Sequence, residues 1–164
     1  MTGVDIFLGN DDDIDPVQEY VKKRWNLNAS FREDRSEDRL RPESFDLINS
    51  RYLAEGINAD RWSSYIRELR LLLRPGGWLQ MVEILFPFQS YSGLLPDNSW
   101  LTRWWQWYSH ALGRMNKNVR IGRELGQVLT NQGFRHVRPV SKNLPVGDWD
   151  RGWLHSLTRR LNID

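Results

Sequence analysis

His110, His136 and His155 are the three side chains of this 164-residue chain whose ordinary pKa suits proton transfer near neutrality. His110 is the most informative of them, because it follows Trp104, Trp105 and Trp107 in a segment with helical periodicity. Trp100, Trp104 and Trp107 fall on one face of that helix, which is expected to be core or interface. A pocket walled by aromatic rings, with Trp104 and Trp107 in its lining, is the alternative. Carboxylates gather at Asp11-Asp12-Asp13 and in the run Arg32-Glu33-Asp34-Arg35. A hard cation needs oxygen ligands at alternating positions and a distal Glu, and the Asp11-Asp12-Asp13 loop has neither, so no metal site is expected. The chain has no cysteine, which excludes disulfides and thiolate-bound metals.

These groups must be held by segments that alternate between strand-like and helix-like patterns, which favours an α/β domain with a mostly parallel sheet flanked by helices. Val4-Asp5-Ile6-Phe7-Leu8 reads as a strand. A helix is expected to start with Asp15 as N-cap and Pro16 at its first position, burying Val17, Tyr20 and Val21. It would end on Lys22-Lys23-Arg24, cations that suit a helix C-terminus and are also open to reading as a nuclear signal. Residues 28–33 read as a second strand and residues 45–49 as a third. Trp62, Tyr65, Ile66, Leu69, Leu72 and Leu73 then recur at i, i+3, i+4, i+7, i+10 and i+11, the stripe of an amphipathic helix packed on a sheet. Pro75-Gly76-Gly77 is expected to end it, with a strand resuming over residues 78–84. Helices near 99–115 and 119–132, a strand at 134–140 and a short helix near 149–161 complete the reading.

A formal net charge of +2 argues against a dedicated nucleic-acid binder. The average hides an asymmetry, since residues 1–82 carry 12 basic and 15 acidic side chains and residues 83–164 carry 11 and 6. No apolar run approaches the roughly 18 residues of a membrane span, and the first residues lack the basic region of a secretory leader. A cytoplasmic protein with neither nucleic acid nor membrane as partner is expected. Residues 1–164, 40% apolar, suffice for a single domain.

Phe45-Asp46-Leu47-Ile48-Asn49-Ser50-Arg51-Tyr52-Leu53, the helix of residues 62–73 and Leu73-Arg74-Pro75-Gly76-Gly77-Trp78-Leu79 together resemble the class I S-adenosylmethionine-dependent methyltransferases. Within that superfamily the chain is most similar to the fungal group that includes the global regulator of secondary metabolism. The likeness lies in the Phe-Asp strand with its Ser-Arg end, the Leu-x-Pro-Gly-Gly-Trp turn and the following Glu83. Gln132-Gly133-Phe134-Arg135-His136-Val137 and Leu144-Pro145-Val146-Gly147-Asp148-Trp149 are similar to that group's sixth strand and the loop after it.

The resemblance implies S-adenosylmethionine as cofactor and a small-molecule acceptor from fungal secondary metabolism. It makes Asp5 the acid at the end of the family's second strand, which binds the ribose hydroxyls. Asp34 matches the end of the third strand, where an acid meets the exocyclic amine of adenine. Asn49, Ser50 and Arg51 fall at the end of the fourth, beside the methionine part. The helix carrying His110 contributes to the acceptor pocket in the family, which makes His110 a candidate general base and Trp104 and Trp107 candidate pocket residues.

In that group a central first strand and a Gly-x-Gly-x-Gly turn precede the second strand, whereas only Met1, Thr2 and Gly3 stand before Val4. A final antiparallel strand would also lie past Leu161. An incomplete Rossmann-like fold is therefore expected. Its second and fourth strands pair directly, or a partner protein or second copy of the chain completes the sheet, or the sequence is an incomplete gene product. The first functional reading is a methyltransferase, or a shortened version of one; the second is an inactive methyltransferase-like auxiliary or binding protein.

Overall fold

The computed structural model describes residues 2–6, 21–86, 88, 90 and 95–143. The expected helix beginning at Asp15, the Asp11-Asp12-Asp13 loop, His155 and the motif from Leu144 to Trp149 lie outside the described residues. In chain order the elements are β1 (Thr2–Asp5), β2 (Val21–Arg24), a short 3-10 turn (Phe31–Glu33), β3 (Phe45–Arg51), α1 (Trp62–Leu72), β4 (Leu73–Val82), α2 (Trp100–Arg114) and α3 (Ile121–Asn131). β1 pairs in parallel with β2, and β3 in parallel with β4. The expected α/β architecture with parallel strands is therefore present, as two ladders of two strands each. Among the described residues β1 and β3 do not pair with each other, so direct closure of the sheet is not what the chain adopts.

The centre of the molecule is α1. Its stripe of Trp62, Tyr65, Ile66, Leu69 and Leu72 is buried as the spacing requires, and Phe31, Ile57 and Ile121 close over it. Full burial of an aliphatic side chain such as Ile57 or Ile66 stabilises the fold by about 1.5–3 kcal/mol. Both ladders lie on this core, since Val4 of β1 and Ile48, Leu79 and Met81 of β3 and β4 pack against the same cluster. One polar pair is buried within it. Arg61 at the start of α1 reaches Glu68 through two hydrogen bonds of 3.1 and 2.6 Å and also donates to the carbonyls of Leu27 and Ala29. Glu68 in turn accepts from Ser30 and from the backbone of Phe31. Burial opposes its ionisation, but the Arg61, Phe31 and Ser30 bonds outweigh burial and leave its pKa lowered.

The Pro-Gly-Gly turn has a different task from the expected one. α1 already ends at Leu72, and Leu73 begins β4 in register with Phe45. The next register partners are Leu47 and Trp78, so residues 74–77 bulge out of β4 opposite Asp46. Gly76 adopts φ +82°, and a Cβ on Gly77 would stand 3.0 Å from the Arg74 carbonyl and 3.2 Å from that of Asp46. The positive φ favours glycine at position 76, and the close approach of two carbonyls favours it at 77.

Other expectations are corrected as well. Residues 28–33 contain the 3-10 turn, and the strand that follows β1 is Val21–Arg24, read from sequence as the end of a helix. The inward residue of β2 is Lys23, buried because it meets Asp34 at 2.8 Å, so the strand lacks an apolar alternation. With Lys23 enclosed, Lys22-Lys23-Arg24 is not a solvated basic cluster. Residues 134–140 form no strand. They follow α3 and Gly133, whose φ of +85° turns the chain out of the helix, and Pro139 lacks the N–H a ladder needs. The face of α2 carrying Trp100, Trp104 and Trp107 is not core, with those rings 77%, 43% and 67% exposed.

Candidate functional site

A cavity of about 140 Å³ opens at the carboxyl ends of β3 and β4. Tyr52, Ala54 and Glu55 follow β3, and Glu83, Ile84 and Phe86 follow β4. Trp105 and Leu112 of α2 and Val119 ahead of α3 complete the lining. Open parallel sheets bind ligands at this edge, where loops from successive strands converge.

Local structure explains the shape. The ladder continues one residue past β3 through a 2.9 Å bond from the Tyr52 N–H to the Val82 carbonyl, and Tyr52 then turns the chain with φ +54°. That left-handed conformation is uncommon outside glycine and directs residues 53 and 54 back toward β4. There the Glu83 carboxylate accepts the N–H groups of Leu53 at 2.8 Å and Ala54 at 3.1 Å. Glu83 thus clips the turn after β3 to the end of β4. Burial pushes its pKa up, the two backbone bonds pull it down, and the net shift is upward.

Ser99 caps α2 by accepting the Thr102 N–H at 3.1 Å, which starts the helix where it can lie over the strand ends. Trp105 stacks on Phe86 at 4.4 Å between ring centroids, and Tyr108 donates a hydrogen bond to Glu55. That bond to Glu55, with some burial, raises the Tyr108 pKa to about 12. Beyond α2, Lys117 bonds to the Gly56 carbonyl and to Asn58, fastening the turn before α3 to the loop after β3. Gly122 allows α3 to close in, because a Cβ there would lie 2.6 Å from the Ile84 carbonyl oxygen.

The residues singled out from sequence are distributed as follows. Asp5 is exposed at the last position of β1, and its carbonyl accepts the Trp25 N–H at 2.9 Å. Asp34 is buried with Lys23 and accepts from the Ser36 backbone and hydroxyl. Burial would raise its pKa, but the Lys23 and Ser36 contacts hold it at about 2. On β3, Asn49 and Arg51 are exposed and bonded to each other at 2.9 Å, while Ser50 is buried with its hydroxyl 3.3 Å from that of Tyr65. His110 is exposed on α2 outside the cavity lining, and His136 is exposed with φ +57°. The tryptophan that lines the cavity is Trp105, not Trp104 or Trp107. Glu55 and Tyr108 belong to no motif that the sequence displays, whereas Tyr52 and Glu83 lie within the strand-end and Pro-Gly-Gly motifs. The adjacency of Tyr52 to the Ser-Arg strand end was the available signal.

No helix among the described residues is long and apolar enough to cross a membrane. A parallel strand–helix–strand unit with a cleft beyond its carboxyl ends is an architecture of α/β ligand-binding domains. Residues 1–138 match the family model described as a methyltransferase domain, and the chain belongs to that family, whose members typically depend on S-adenosylmethionine. It is 27% identical over 148 residues to the methyltransferase pytC of Aspergillus terreus, covering 89% of this chain and 43% of that protein. It is 27% identical over 110 residues to the methyltransferase cpsF of Aspergillus campestris, covering 67% of this chain and 38% of the relative. Against the secondary metabolism regulator LAE1 of Cochliobolus heterostrophus it is 25% identical over 111 residues, 67% of this chain and 36% of that protein. The chain therefore spans less than half the length of these fungal relatives. No solved structure matches it significantly.

Proposed function

We propose that this chain forms the core of an S-adenosylmethionine-dependent methyltransferase acting on a small-molecule intermediate of fungal secondary metabolism. The observation that carries this reading is the cleft beyond β3 and β4, walled by Trp105 and Phe86 and floored by Glu83, in a chain of the methyltransferase domain family. S-adenosylmethionine supplies an electrophilic methyl group on a sulfonium centre. Asp5 suits its ribose, since an exposed carboxylate at the carboxyl end of a parallel strand accepts two hydrogen bonds from a diol. Asp34 suits the adenine amine less well, because its carboxylate is already bound to Lys23 and Ser36 in a buried site. The fit of this chain's residues to the cofactor is thus partial. Trp105, Phe86 and Tyr52 would exclude water and orient the acceptor, and orientation supplies most of the rate in such a transfer.

A second reading is a methyltransferase-like protein without transfer activity, which binds a pathway intermediate or another protein. The separation of the β1–β2 and β3–β4 ladders favours it, because Asp5 and the end of β3 then belong to different sheets. A partner protein or a second copy that joined the ladders would restore the first reading. Calorimetric titration with S-adenosylmethionine, on this chain and on Asp5→Ala, tests both. Saturable binding that weakens about tenfold or more in the variant supports the enzyme. No binding at millimolar cofactor overturns it for this chain and leaves the binding protein.

A further inference from the structure

The cavity beyond β3 and β4 has a chemistry more specific than its position. Its volume of about 140 Å³ is close to that of an apolar cavity of about 150 Å³ that takes up benzene, so it encloses about one aromatic ring. One wall is the stacked pair of Phe86 and Trp105, with ring planes 16° apart, and Ile84 and Leu112 extend the apolar surface. The charged lining residues are Glu55 and Glu83, and no basic side chain stands among those lining the cavity. Ile84, Leu85 and Phe86, the described residues that follow Glu83 at the end of β4, carry no charge.

Each carboxylate keeps acceptor capacity. An ionised carboxylate offers about four lone-pair sites, and Glu83 uses two of them on the N–H groups of Leu53 and Ala54. Glu55 accepts the Tyr108 hydroxyl through one oxygen. Aromatic faces also attract cations and repel anions, in the same direction as the carboxylates.

We infer that this cleft binds a single aromatic ring bearing an amine or hydroxyl donor, neutral or cationic, with the ring against the Phe86–Trp105 wall and the donor hydrogen accepted by Glu83. Rings that carry a carboxylate are excluded by Glu55 and Glu83. The assignment rests on the proposed methyl transfer only in naming this ring as the acceptor.

Four probes of similar size decide the matter on the full chain without cofactor: phenethylamine, phenol, toluene and phenylacetate, each titrated by saturation-transfer NMR. Phenethylamine and phenol should bind, toluene more weakly, and phenylacetate about tenfold or more below the amine. Glu83→Gln should narrow the amine-to-phenylacetate ratio about tenfold, and Trp105→Ala should weaken all four. Since Glu83 also holds the turn after β3, the ranking on the unaltered chain stands as the primary readout, independent of whether that variant folds. Equal binding of amine and phenylacetate, or no binding of any probe, overturns the inference. Because the probes are read without S-adenosylmethionine, this outcome is separate from the cofactor titration on Asp5→Ala.

Discussion

The hydroxyl of Tyr108 on α2 is hydrogen-bonded to the carboxylate of Glu55 in the loop after β3. This contact joins the helix that roofs the cavity to the strand end that floors it. Beside it on the same face of α2 lies the Phe86–Trp105 stack, with the Trp105 and Tyr108 rings 6.1 Å apart. None of the residues of α2 is fully buried, and these two contacts therefore matter more to its placement than core packing does.

The Tyr108–Glu55 contact has a spectroscopic signature. The raised pKa means that its stabilisation is complete below the ordinary phenol value near about 10 and is lost as pH rises through about 12. Among the chain's five tyrosines, ultraviolet difference titration should find one that ionises near pH 12. Tyr65 is also raised, by burial above all, but its hydroxyl meets Ser50 and not Glu55. Tyr108→Phe should delete the transition near pH 12 and leave that of Tyr65 in place, at a stability cost under about 1 kcal/mol for so exposed a bond. Loss of amplitude near pH 10, with none lost near pH 12, would show that the two residues do not meet.

Gly122 sets how closely α3 approaches the cavity. Alanine is intrinsically better in a helix by about 1 kcal/mol, but here its methyl would have to displace backbone at Ile84, at a cost of about 1–3 kcal/mol. Gly122→Ala should therefore be neutral to destabilising by about 2 kcal/mol in urea unfolding, whereas Gly113→Ala, with open space around it on α2, should stabilise. Because Ile84 lines the cavity, the first variant should also weaken ring binding there.

The Lys23–Asp34 pair defines the acid limb of stability. The Asp34 pKa in the folded state, about 2, lies below its ordinary value, so its contribution is fully present above about pH 4 and disappears as pH falls toward 2. Glu68, also lowered, acts in the same sense. Lys23 is raised, which places loss of its contribution above its ordinary value, at the alkaline end. Replacing Lys23 with Met keeps the volume but leaves a buried carboxylate unpaired, and should cost about 3 kcal/mol at neutral pH. The measurement is urea unfolding at pH 7 and pH 3: the deficit of the variant should shrink at the lower pH, and a constant deficit would assign the effect to packing alone.

How much of this was legible depends on which face of each element carries its meaning. α1 was readable residue by residue, since Trp62, Tyr65, Ile66, Leu69 and Leu72 are apolar and buried alike. β2 was not, because its one buried residue is a lysine made tolerable by an aspartate outside the strand. On α2 the periodicity identified the face of Trp100, Trp104 and Trp107 but not whether anything covers it. Adjacent helical residues point about 100° apart, and it is Trp105, one step away, that faces the cavity. Glu83 could be located by its motif, whereas its two backbone partners and the Tyr108–Glu55 contact depend on how α2 and the turn after β3 come together.

Leu47 and Trp78 are register partners on β3 and β4 and stand 60% and 70% exposed, on the face of the ladder opposite α1. Parallel sheets ordinarily carry helices on both faces, so an apolar pair left open here departs from the usual arrangement. An exposed aromatic contributes little to folding, because nothing is transferred out of water. Trp78→Ser in the 164-residue chain should therefore change unfolding free energy by no more than about 0.5 kcal/mol, while Leu79→Ser, one residue along and packed on the core, should cost about 2 kcal/mol or more. The comparison is by urea unfolding of both variants at several protein concentrations. A large loss for Trp78→Ser that grows with protein concentration would mean that a second copy covers this face, and a large loss independent of concentration would mean that another part of the chain does.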